Sequence, residues 1–101
     1  MKPLFIPLKG EFYDQFEKGQ KDTEYRPFGP RWNERTCPVG REVVLSRGYG
    51  KAHRMRGTVT HFTTSTVITQ TRLWRSIYGT KHSYAACIQI RVAPSITPSQ
   101  T

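Results

Sequence analysis

The apolar positions first cluster in LFIPLK, residues 4 to 9, a short run interrupted by Pro7. Proline has no N–H to give to a ladder, so this segment is expected as an edge or first strand. The spacing then becomes helical. Over GEFYDQFEKG, residues 10 to 19, Phe12, Tyr13 and Phe16 fall on one face and Asp14, Glu17 and Lys18 on the other. Glu11 and Lys18 suit the two ends of the helix dipole, and Gly19 is placed to stop the helix in a left-handed conformation. DTEYRPF, residues 22 to 28, alternates instead, with Asp22, Glu24 and Arg26 sharing one face and Thr23 and Tyr25 the other, until Pro27, Gly29 and Pro30 end it.

RWNERTCPVG, residues 31 to 40, is polar and irregular, with Trp32 as its anchor. REVVLSR, residues 41 to 47, predicts a buried strand, followed by the basic, glycine-bearing loop GYGKAHRMR, residues 48 to 56. The threonine-rich stretch from Gly57 to Thr66 predicts another strand. TRLWRSIYG, residues 71 to 79, suits a short helix ending at Gly79, and the helical spacing of Trp74 and Tyr78 places both in the core. In the last strand Tyr84, Ala86, Ile88, Ile90 and Val92 alternate with Ala85, Cys87, Gln89 and Arg91, and the tail from 94 to 101 is polar, proline-bearing and expected to be disordered. Five short strands and two short helices predict an α+β fold built on a small mixed sheet or partly closed barrel.

A chain of 101 residues suits one domain, here residues 1 to 93. It contains no run approaching the ~20 apolar residues of a membrane span and no evident leader, so a cytoplasmic protein without a membrane partner is expected. Cys37 and Cys87 are too few and too far apart for a disulfide framework or a paired-cysteine zinc motif; both are expected reduced, with Cys87 in the core. Neither a metal site nor a cofactor is expected, since no HxH, HExxH or clustered-carboxylate pattern occurs. The charge is more informative. Sixteen basic residues against seven acidic ones leave a formal +9, and no carboxylate follows Glu42, whereas eight lysines and arginines lie beyond it. Such a one-sided excess fits a polyanionic partner.

Two segments concentrate candidate chemistry. SRGYGKAHRMR, residues 46 to 56, surrounds Tyr49 with Arg47, Lys51, Arg54 and Arg56. Cations that track phosphates around a ring that stacks a base are what single-stranded nucleic acid requires; a solvated hairpin loop with Tyr49 folded onto the barrel is the equal alternative. GQKDTEYR, residues 19 to 26, places Lys21, Glu24 and Arg26 behind Gly19. Arg26 offers a planar donor fork to phosphate or a base edge, Glu24 offers acceptors to an exocyclic amine, and Lys21 adds a compact charge. The bland alternative is an exposed ion pair between Glu24 and either cation, worth under ~1 kcal/mol.

Gly19, Lys21, Glu24 and Arg26 also match each fixed position of GxKxxExR, and with the preceding strand and helix the chain resembles the ASCH domain family, related to the PUA-like RNA-binding domains. The resemblance covers roughly residues 1 to 92. It implies a PUA-like β-barrel of five to six strands whose cleft, beside the first helix, holds the motif and accepts RNA, another single strand or a nucleobase, by a protein expected to be monomeric. Some proteins of this type are amidohydrolases acting on N4-acetylcytidine, which implies Lys21 as nucleophile or base; others are described as ribonucleases, for which Glu24, His53, His61 or His82 would move protons. The amidohydrolase pattern also calls for a threonine three residues after the lysine and a late carboxylate. This chain has Glu24 at the first position and nothing at the second, so Lys21 and Glu24 would have to carry any catalysis between them. Cys37 has no histidine near it in sequence and is a weak nucleophile candidate.

Overall fold

The computed structural model describes residues 1–93; the tail expected to be disordered lies outside the described residues. Five strands form one sheet: β1 (Leu4–Leu8), β2 (Thr23–Pro27), β3 (Glu42–Arg47), β4 (Arg54–Ser65) and β5 (Ala85–Val92). Helix α1 (Gly10–Glu17) links β1 to β2, and α2 (Arg72–Tyr78), preceded by a 3-10 turn at Ile68–Gln70, lies between β4 and β5. The strand order is β1-β3-β4-β5-β2. β1 runs parallel to β3 and the other neighbours are antiparallel, so the sheet is mixed. Pro7 indeed sits on an edge strand, where its missing N–H costs no ladder bond.

The sheet curls into a half-barrel. Its two edge strands come together where Arg26 Nη2 of β2 donates to the Pro7 carbonyl of β1 at 2.5 Å. Ile6, Leu8, Val43, Leu45, Val59, Ile88 and Ile90 fill the concave side, and α1 covers it with Tyr13 and Phe16. The alternating pattern of β1, β3 and β5 thus has a direct cause: every second side chain faces this core.

Four local expectations are corrected. β4 begins at Arg54, because Met55 and Arg54 pair with Leu45 and Ser46 of β3, so Arg54 and Arg56 belong to the ladder rather than to the loop. The cysteines exchange places: Cys37 is 0% exposed and packs in the core, whereas Cys87 is only half-buried, because Ile88 beside it takes the inward position on β5. Asp22 does not share a face with Glu24, since β2 starts one residue later and the Asp22 carboxylate accepts from Thr23 Oγ1 at 2.7 Å and Gln89 Nε2 at 3.4 Å. Trp74 is buried and Tyr78 partly so, but neither joins the barrel core, because α2 leans on the 3-10 turn rather than on the sheet. Thr71 caps α2, its hydroxyl accepting the Trp74 N–H at 3.2 Å.

Close packing between strands is tightest at Gly57. A Cβ there would lie 2.8 Å from the Arg91 carbonyl oxygen and 2.9 Å from Ile90 Cγ2, so only glycine lets β4 approach β5 this closely.

Candidate functional site

The end of β1, helix α1, strand β2 and helix α2 enclose a cleft of about 590 Å³. Lys21, Glu24 and Arg26 all line it. Their convergence follows from local structure. After α1, Gly19 takes a left-handed φ of 74°, and the Gln20 and Lys21 N–H groups donate to the Gln15 carbonyl at 2.8 and 3.2 Å. This tight turn returns the chain beneath the helix, so Lys21 emerges beside α1. The two-residue repeat of β2 then sends Glu24 and Arg26 to the same side.

The polar end is compact. Arg26 Nε donates to Glu24 Oε2 at 2.7 Å, and Lys21 Nζ lies 3.9 Å from Glu24 Oε1. The Glu24 side chain is 8% exposed, so the pair is not the exposed surface bridge of the bland alternative. Burial pushes the Glu24 carboxyl above its ordinary range, against the opposing effect of Arg26 and Lys21. Burial likewise pushes the Lys21 amine down, opposed by Glu24 and Asp22. The ammonium is fenced by the rings of Tyr25, Phe12 and Phe16 at 4.9, 5.4 and 5.6 Å, which also favour the charged form. Two cations and one carboxylate leave the cluster one formal positive charge in excess.

Arg26 is the most committed of the three. Besides Glu24 and the Pro7 carbonyl, its guanidinium lies 5.0 Å from the Trp32 ring. Two of its five N–H donors are thereby engaged, leaving part of the fork for a ligand.

The opposite wall of the cleft is apolar. Ile68, Leu73, Trp74, Ile77 and Tyr78 come from α2 and the turn before it. Burial raises the Tyr78 phenol, which also feels Arg26 and Glu24, so this ring stands within the field of the polar end. The sequence reading missed this wall because the i, i+4 spacing of Trp74 and Tyr78 looks the same whether a helix faces a core or a cleft. The exposure of Leu73 on α2 fits a helix with little sheet to cover, and it is seen only in the structure.

The remaining candidates lie elsewhere. Arg47, Tyr49, Lys51 and Arg54 do not line the cleft. Arg47 pairs with Asp14 of α1 at 3.3 Å, Lys51 is exposed, and Arg54 stacks 5.2 Å over Phe5 while its Nε donates to the Gly50 carbonyl at 3.3 Å. His53 is exposed in the loop and His61 on β4. His82 stands edge-on to Trp74 and Tyr78, 6.3 Å from each, behind the wall rather than in the cleft. Thr23 is also outside it. Cys37 is sealed in the core, where burial pushes its thiol up, the wrong direction for a nucleophile. Among the described residues no group of three histidine, cysteine or carboxylate side chains is placed to hold a metal, and no helix is long and apolar enough to cross a membrane.

The chain matches no known family model and no curated protein sequence.

Proposed function

We propose that this protein is a single-stranded nucleic-acid-binding module, RNA being the preferred ligand, of the ASCH, PUA-like type that its GxKxxExR stretch resembles. The observation that carries this reading is the convergence of Lys21, Glu24 and Arg26 at one end of a cleft walled by Trp74 and Tyr78. The volume, about 590 Å³, is that of a small-molecule site and fits one nucleotide. A flat base inserts against the aromatic wall, Glu24 and the free donors of Arg26 meet its polar edge, and the surplus positive charge beside Lys21 meets phosphate. The overall +9 draws the rest of the strand to the surface.

The test is equilibrium binding of single-stranded RNA, single-stranded DNA and an acidic protein control across a salt series. RNA affinity is expected to fall steeply with salt, and Lys21→Gln to weaken binding while the fold is retained. Wild-type affinity in folded Lys21→Gln, or equal binding of the acidic protein, would remove the cleft from the function.

A hydrolase using the same cleft is the second reading, favoured by one observation: the desolvated Lys21 amine stands 3.9 Å from a buried carboxyl. That arrangement suits a nucleophile or base with a proton partner, whether on a modified nucleoside or on RNA. Analysis of the products after incubation separates it from binding alone.

A further inference from the structure

We propose a second contact for the nucleic-acid strand outside the cleft: an aromatic platform made by Tyr49, Phe5 and Arg54, which stacks an unpaired base next to the one held by the motif. The inference rests on reading the ligand as single-stranded nucleic acid, and its geometry is independent of the cleft.

Tyr49 is 82% exposed. A tyrosine folded onto the barrel would bury its ring, because that is where its apolar area gains most. Here the ring stands out, backed on one side only by Phe5, with centroids 6.4 Å apart and planes tilted by 41°. Arg54 lies over Phe5 at 5.2 Å. Phe5, Tyr49 and Arg54 thus form a cluster of two mutually tilted rings and a guanidinium, with the Tyr49 ring open to water.

The loop that presents Tyr49 is tied down on both sides. Gly48 N–H donates to the Leu8 carbonyl at 2.8 Å and Arg47 N–H to the His53 carbonyl at 3.0 Å, while the Gly50 carbonyl accepts from Ser46 Oγ at 3.1 Å and from Arg54 Nε at 3.3 Å. A ring held out by a braced loop is ready to bind without ordering cost. The position also fits a strand leaving the cleft. Pro7 and Leu8 line the cleft, and Phe5 lies two residues back on β1, on the same side as Pro7 and roughly 7 Å away at the rise of a strand. Lys51 and Arg54 supply cations for the phosphates, whereas Asp14 is engaged by Arg47 at 3.3 Å and Glu42 by Arg56 at 3.1 Å. An unpaired base is the occupant this combination selects: a duplex hides its base faces, and an acidic peptide has no need of an open ring.

The experiment uses the full chain and a fluorescent oligouridylate of about 12 nucleotides, carrying photoreactive 4-thiouridine so that cross-links are mapped by mass spectrometry. Cross-links at Tyr49, with affinity reduced roughly 5- to 140-fold in Tyr49→Ala and restored in Tyr49→Phe, are expected. Cross-links confined to Tyr25, Trp74 or Tyr78, with wild-type affinity in Tyr49→Ala, would overturn the platform and leave the cleft reading intact. Cross-links at Tyr49 alone would support the platform and overturn the cleft. Absence of both binding and cross-linking at low salt would overturn both.

Discussion

Replacing Arg26 by alanine is expected to unfold this protein more readily than any loss of a surface charge would. The side chain does two jobs at the seam of the half-barrel: it donates to Glu24 at 2.7 Å and, through Nη2, to the Pro7 carbonyl on the opposite edge strand. Both side chains of the pair are largely shielded, at 17% and 8% exposure. Removing one partner of a buried pair costs about 3–5 kcal/mol, and because Lys21 remains 3.9 Å from Glu24 the lower end of that range is expected. For a domain of this size each kcal/mol moves the melting temperature by about 4–8 °C, so a fall of at least ~12 °C is expected by near-ultraviolet circular dichroism at neutral pH. The pH dependence supplies a second check. Burial already holds the Glu24 carboxyl above its ordinary range, and without Arg26 only Lys21 opposes that. A carboxyl whose folded pKa exceeds its unfolded value of ~4.3 favours the folded state at low pH and loses that contribution as pH rises through the folded pKa. The gap between wild type and Arg26→Ala should therefore widen from acid to neutral pH. Replacing both residues, Glu24→Met with Arg26→Met, should recover only part of the loss, since the buried carboxylate goes with its partner but Lys21, 16% exposed, then loses Glu24 and the bond to the Pro7 carbonyl is not restored. The reasoning fails if Arg26→Ala lies within ~1 kcal/mol of wild type, or if its deficit is the same at pH 4 and pH 7.

Three further outcomes follow from the packing and the site. Gly57→Ala pushes a methyl to 2.8 Å from the Arg91 carbonyl oxygen, where backbone cannot yield cheaply, so urea unfolding should show a loss of about 1–3 kcal/mol. Gly19→Ala meets open space but must hold φ near 74°, which costs roughly 1 kcal/mol, and circular dichroism should show the fold intact. Incubation with N4-acetylcytidine should yield little or no cytidine by chromatography, because Glu24, the one carboxylate lining the cleft among the described residues, is held by Arg26; turnover that disappears in Lys21→Ala would refute this.

Much of the architecture was legible because it is local. The alternation of Ile6 and Leu8, of Val43 and Leu45 and of Ile88 and Ile90 marks strands with one buried face, and the spacing of Tyr13 and Phe16 before Gly19 marks α1 and its stop. Boundaries set by pairing were not legible. Arg54 and Arg56 carry loop-like charge, yet the ladder with β3 makes them strand, and nothing in the residues themselves announces that pairing. Cys37 and Cys87 show the same limit: the polar setting of the first conceals its burial, while the apolar setting of the second overstates it.

The candidate site divides along the same line. By itself the sequence determined that Lys21, Glu24 and Arg26 stand behind a turn-forming glycine, that two of them share a strand face, and that the chain carries a strong positive charge, because these depend on neighbours along the backbone and on composition. Only the tertiary structure decided that Glu24 is buried, that Arg26 reaches across the seam to Pro7, and that Trp74 and Tyr78 close the cleft from a helix some fifty residues away in the chain. Burial and long-range pairing depend on which distant elements meet when the sheet curls, and that is a property of the whole fold rather than of any stretch of residues.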